Sequence, residues 1–139
     1  MPDNEVFADT SALMAIINRA DALHPSAVAL HHEFRTMRTP LVTSDWVLAE
    51  FLCVAARAPF RATATKAVAL LKSSSRATII EATRRDWDRA FDFFGQYHDK
   101  EWSLVDCTSM LICQDRNIRR VFTYDHHFRQ FGLEVLLRR

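Results

Sequence analysis

Hydrophobic and polar positions fall along this chain in blocks of two kinds. Five apolar runs, at residues 6–8, 41–43, 77–80, 121–123 and 133–137, are too short for helices and predict strands. Between them, apolar residues recur three and four positions apart, which predicts helices. The first helix starts at Ser11, just after Asp9. Pro25 and Ser26 open a second that runs to about residue 38, and Ser44 is placed to cap a third over 46–58. Pro59 breaks that helix, and a fourth over 60–73 ends in Ser73, Ser74 and Ser75. Thr83 with Asp86, and Ser103 with Asp106, have the spacing of capping boxes, starting helices that reach about residues 95–98 and 116. Strand and helix alternate throughout. The expected architecture is therefore α/β, a parallel β-sheet flanked by helices on both faces, in a single domain over residues 1–139.

Composition removes several classes. With only Gly95 and Gly132, the chain has no glycine-rich phosphate loop and no dinucleotide fingerprint. A net charge of +1 gives no bulk attraction to nucleic acid or anionic membrane. The longest stretch without a charged residue covers only residues 22–32, too short to cross a bilayer. The opening MPDNEVFAD is acidic where a signal peptide is basic and then apolar, so the expected location is cytoplasmic. Cys53, Cys107 and Cys113 are odd in number and form no CxxC pair, and are read as small buried hydrophobes.

Four carboxylates stand where solvated acids do not belong. On a helix, Glu50 shares a face with Val47, Phe51 and Val54, and Asp106 shares one with Ser109, Met110 and Cys113. Asp9 and Asp125 sit at or just beyond the carboxyl ends of apolar strands, where open α/β sheets collect ligand-binding groups. A buried ionised carboxylate must be protonated, paired or bound to metal. Bland readings exist for each: a cap for Asp106, an arginine salt bridge for Glu50, turn carboxylates for Asp9 and Asp125. Taken together, four such acids without an adjacent Lys or Arg suit a hard cation such as Mg²⁺ or Mn²⁺.

The segments FADTSAL with Asp9, VLAEFL with Glu50, EWSLVDCTSM with Asp106 and VFTYDHHF with Asp125 resemble the four signature segments of PIN-domain ribonucleases, in particular the small VapC-type toxins of toxin–antitoxin pairs. The resemblance extends over nearly the whole chain, in the family's order. It implies a PIN fold and an Mg²⁺- or Mn²⁺-dependent endoribonuclease that hydrolyses RNA phosphodiester bonds. In it Asp9, Glu50, Asp106 and Asp125 form the acidic quartet, and Thr10 and Ser11 are the small polar residues after the first aspartate. Asp9 and Asp106 are then direct metal ligands, with Glu50 and Asp125 bound directly or through water. A cognate antitoxin protein and a homodimer are implied as well. The rival readings are a non-catalytic PIN-like module that binds RNA or protein, and an α/β domain whose acids serve only as caps. Clustering of four mutually repelling carboxylates argues against the first of these.

Other residues invite weaker inferences. His126 and His127 directly follow Asp125, but adjacent side chains are expected to diverge, and no third ligand has recognisable zinc spacing. Trp46, Trp87 and Trp102 are read as packing residues rather than base-stacking platforms. Residues 51–80 carry Arg57, Arg61, Lys66, Lys72 and Arg76 and no acid, so this stretch is +5 and the remainder is −4. The pairs 57/61 and 72/76 are expected to share helix faces, forming a phosphate-binding arm or simply a solvated surface.

Overall fold

Consecutive side chains of a strand point to opposite faces, yet in β1 (Val6–Ala8) all three are at most 1% exposed. Both faces of the sheet are therefore covered, as a parallel sheet requires. The computed structural model describes residues 4–138. Its remaining strands are β2 (Leu41–Ser44), β3 (Ala77–Ile80), β4 (Arg120–Phe122) and β5 (Glu134–Val135), and all neighbours pair in parallel in the order β3-β2-β1-β4-β5. The helices are α1 (Thr10–Ile17), α2 (His24–Thr36), α3 (Asp45–Val54), α4 (Phe60–Ser73), α5 (Arg84–Gln96), α6 (Leu104–Arg116) and α7 (His127–Gln130).

The alternation splits the core in two. Phe7, Val42, Val121 and Val135 belong to one cluster with Phe51 of α3, Ala64 of α4, Ala90 of α5 and Met110 of α6. Val6, Ala8 and Phe122 belong to the other with Ala12 and Ala15 of α1 and Phe34 of α2. Phe34 meets Phe122 edge-on at 5.2 Å between ring centroids. The expected α/β sheet with helices on both faces is what the structure shows.

Helix ends follow local chemistry. The Ser44 hydroxyl accepts from the Val47 amide at 3.1 Å and starts α3. The Thr83 hydroxyl accepts from the Asp86 amide, but no reciprocal bond completes a box there. Asn117 ends α6 in the left-handed conformation (φ 59°) and turns the chain into β4.

Several boundaries depart from expectation. The third helix stops at Val54 rather than residue 58, with Ala55 as its C-cap and a turn through residues 55–59 leading into α4. Val54 is 55% exposed and contributes nothing to the inward face of α3, and Cys53 beside it is exposed rather than buried. The last strand covers only Glu134–Val135, and the four-residue α7 was not anticipated, since one turn is too short to show a helical period.

Candidate active site

In the strand order β3-β2-β1-β4-β5, the chain moves one way across the sheet from β1 and the other way from β4. At such a reversal the carboxyl ends of the two strands open a crevice, the usual ligand position of open α/β sheets. The register pairs Ala8 with Phe122, and continuing it by one residue sets Asp9 opposite Thr123. The Asp9 amide donates to the Phe122 carbonyl at 3.1 Å, and the Thr123 hydroxyl donates to Asp9 Oδ2 at 2.9 Å. Thr123 has then given away its one proton, so the Ser11 hydroxyl, 2.9 Å away, donates to it. The Asp125 amide also donates to Thr123 Oγ1, and the Tyr124 amide donates to Ser11 Oγ, each at 3.0 Å. One hydroxyl thus ties the end of β1 to the loop after β4.

The other two acids arrive from helices. Glu50, half-buried on α3, accepts from the Thr10 hydroxyl at 2.5 Å. Among the described residues it has no arginine partner, so the salt-bridge reading is not what the structure shows there. Asp106 lies in the first turn of α6 in a complete capping box: its amide donates to Ser103 Oγ at 3.0 Å, and the Ser103 amide donates to Asp106 Oδ2 at 3.1 Å. The cap is real, and it aims the carboxylate at the crevice rather than away from it. His127 Nδ1 lies 3.0 Å from Asp106 Oδ2 and 3.3 Å from Asp125 Oδ1, while the His127 amide donates to Asp125 Oδ1 at 2.9 Å.

Electrostatics mark this cluster out. Burial pushes the Asp9 carboxyl up to about 7, and the charges of Asp106 and Glu50 add to the rise; the Thr123 hydroxyl and the Thr10 amide oppose it. Burial likewise holds Asp106 above the ordinary carboxylate range, with Asp125 adding to the effect. The Cys113 thiol is pushed up to about 12, by burial first and then by Asp9, so this wall of the site is an inert thiol. Among the described residues no Lys or Arg forms an ion pair with Asp9, Glu50, Asp106 or Asp125. Buried carboxylates raising one another's proton affinity, with no described Lys or Arg paired to them, make a hard oxygen donor set that fits Mg²⁺ or Mn²⁺. The cluster is loosely drawn. Among the described residues, the one group of three potential ligands whose donor atoms all lie within 4.8 Å of one another is Asp125, His126 and His127.

That grouping corrects the expectation for the histidines. Their rings do not diverge: the centroids are 4.7 Å apart, because α7 begins at His127 and turns its side chain back toward Asp106. Sequence reasoning missed both His127 and Thr123. A hydroxyl at a strand end, two residues before an acid, was the available signal for Thr123. Trp102 does pack as expected, 4% exposed and stacked on Phe93, with its indole N–H donating to Gln130 at 2.8 Å. Trp87 instead stacks on the exposed Phe91 at the surface of α5.

The basic residues are not gathered as the i, i+4 spacing suggested. Arg57 lies in the turn after α3 and Arg61 in α4; Lys72 lies in α4 and Arg76 in the turn before β3. Neither pair shares a helix. Arg61 donates to the Ala56 carbonyl at 3.0 Å and Arg76 to the Arg35 carbonyl at 3.1 Å, so both also serve the backbone.

Residues 6–133 match the family model described as PIN domain. The chain belongs to the PIN domain family. Two relatives in this family, both named 23S rRNA-specific endonuclease VapC20 and from two strains of Mycobacterium tuberculosis, are 28% identical to it over 129 residues, which is 91% of this chain and 94% of theirs. The crystal structure of Mycobacterium tuberculosis VapC20, described as a sarcin-ricin loop cleaving toxin, superposes with a TM-score of 0.79 at 25% identity, over 92% of this chain and 95% of that one. The same PIN fold is found in VapBC2 from Rickettsia felis bound to promoter DNA (TM-score 0.65, 16% identity, covering 94% and 96%). It is found again in FitAcB from Neisseria gonorrhoeae (0.62, 14%, covering 94% and 96%). No helix in the described part of this PIN domain is long and apolar enough to cross a membrane.

Proposed function

We propose that this PIN-domain protein is a divalent-ion-dependent endoribonuclease, the toxin of a toxin–antitoxin pair, with Asp9, Glu50, Asp106 and Asp125 as its acidic centre. One observation carries the reading. A buried carboxylate, Asp9, stands beside two other acids at the reversal of strand order, and no Lys or Arg among the described residues is paired with them. Asp9 and Asp106 are the deepest of the four and are the proposed direct ligands, with Glu50 and Asp125 completing the shell directly or through water. Mg²⁺ or Mn²⁺ held there supplies polarisation of the scissile phosphate and activation of water.

The chain's own residues do the rest. Thr123 and Ser11 fix the Asp9 carboxylate, Thr10 fixes Glu50, and the Ser103 cap fixes Asp106, so the oxygens keep their places before substrate arrives. The similarity to an endonuclease of 23S rRNA makes that RNA the first substrate to test. Arg57, Lys66 and Lys72, exposed on or beside α4, are proposed to hold RNA phosphates, with Arg61 and Arg76 adding charge while tied to the backbone.

For the antitoxin, the fitting surface is a groove of about 550 Å³ between α1, α2 and α4, lined by Leu13, Ile16, Phe34, Leu41 and Leu71 and edged by Arg35 and Arg76. An amphipathic segment with acidic flanks suits it. Exposed Phe91 and Phe94 on α5 support a homodimer. The deciding experiment compares wild type with Asp9→Asn on purified RNA, with Mn²⁺ or Mg²⁺ present or chelated. Cleavage is expected only from the wild type with metal, at equal circular dichroism; equal cleavage by the variant overturns the assignment.

A further inference from the structure

His127 begins α7 and touches two acids that no backbone pairing joins. Asp106 belongs to the first turn of α6, and Asp125 to the loop after β4. The imidazole Nδ1 lies 3.0 Å from Asp106 Oδ2 and 3.3 Å from Asp125 Oδ1, and the His127 amide holds Asp125 Oδ1 from the backbone side at 2.9 Å. The side chain is only 18% exposed, so the ring is packed in this pose rather than trailing in solvent. Ionised carboxylates only accept hydrogen bonds, so Nδ1 facing two of them must carry a hydrogen.

We propose that His127 is a positioning residue, whose Nδ1–H bridges Asp106 and Asp125 and sets the gap between them at which a divalent ion binds. This rests on the reading of the acidic cluster as a divalent-ion site. Two like-charged carboxylates move apart unless something holds them. The Ser103 amide and His127 Nδ1 meet on the same Asp106 oxygen, Oδ2, while Asp125 sits on a loop held from its other side by the Asp125 amide on Thr123 and the Tyr124 amide on Ser11. A donor between them keeps both carboxylates aimed into the crevice, as outer-shell groups do for metal-binding carboxylates elsewhere. Direct ligation by His127 is the competing role, open to Nε2 while Nδ1–H stays on the carboxylates, and only a variant that keeps the donor but lacks a second ring nitrogen separates the two.

The test is Mn²⁺ binding, followed by electron paramagnetic resonance of free Mn²⁺, for wild type, His127→Ala and His127→Asn. The Asn side-chain amide nitrogen overlies Nδ1 and keeps a donor at that point. His127→Ala is expected to weaken Mn²⁺ binding about 10- to 100-fold, and His127→Asn to stay within about threefold of wild type. RNA cleavage by His127→Ala should recover at saturating Mn²⁺, because every proposed ligand remains. Should the Ala variant not fold, His127→Gln, with its donor displaced by one bond, replaces it and is expected to show the weaker binding. Wild-type affinity in the Ala or Gln variant overturns the proposal and leaves the divalent-ion reading standing. An Asn variant as weak as Ala also overturns it, pointing to ligation by the ring. A wild-type protein that binds no Mn²⁺ overturns both.

Discussion

The Thr123 hydroxyl donates to the Asp9 carboxylate at 2.9 Å across 114 residues of sequence, locking the ends of two central strands at the acidic cluster. Thr123→Val keeps the shape but leaves the buried Asp9 short of a donor and the Asp125 amide short of an acceptor. Urea unfolding should show a loss of about 1–3 kcal/mol. Thr123→Ser, which restores the hydroxyl, should recover most of it. Equal stability of the Val variant would show that the hydroxyl is dispensable.

Asp9 also predicts a pH dependence. Its proton is held up to about 7 in the folded chain and is released near 4 in an unfolded one. Between those values the folded state binds a proton that the unfolded state does not, so stability falls as pH rises through that window and levels off above it. In chelator, Asp9→Asn should lose this decline and exceed wild type in urea midpoint at pH 8, while the two converge near pH 4. A variant as pH-sensitive as wild type would place the effect elsewhere.

Metal should reverse that penalty. A divalent ion binding only the folded chain, at roughly 100 times its dissociation constant, adds about 2.7 kcal/mol of stability. Because protons compete for the same oxygens, the gain should be larger at pH 8 than at pH 6. A melting temperature unmoved by millimolar Mn²⁺ and Mg²⁺ at pH 8 would leave the acids as caps alone.

For the basic stretch, the informative variant is now Arg57→Gln with Lys66→Gln, since Arg61 and Arg76 already reach backbone carbonyls. On single-stranded RNA, the slope of log affinity against log salt should drop by up to about 1.4 if both touch phosphate, with cleavage at saturating RNA preserved. An unchanged slope assigns these residues to solvated surface.

What could be read from the sequence was local. Pro59 and the serines after α4 delimit a helix over residues 60–73, and the run at 77–80 is a strand over those same residues, because breakers and short apolar blocks act where they stand. Inward acids were visible because Val47 and Phe51, or Met110 and Cys113, share their faces and are fully buried. Contacts made at a distance were not visible. Nothing near Thr123 in sequence announces Asp9, and nothing in a one-turn helix announces that His127 faces Asp106. The expected pairing of Arg57 with Arg61 failed because Pro59 stands between them and the two residues fall in different elements, so i, i+4 spacing counts only inside one unbroken helix.

The placement of β4 between β1 and β5 has a consequence in time. A nascent chain that has emerged only as far as α6 already holds Asp9, Glu50 and Asp106, but it lacks the Thr123 hydroxyl that fixes the first and the His127 ring that reaches the third. Chains arrested before residue 120 are therefore expected to leave RNA intact, however well their first three strands have packed. Completion of the acidic cluster is thus deferred to the last part of the chain to be made, although three of its four acids are made well before.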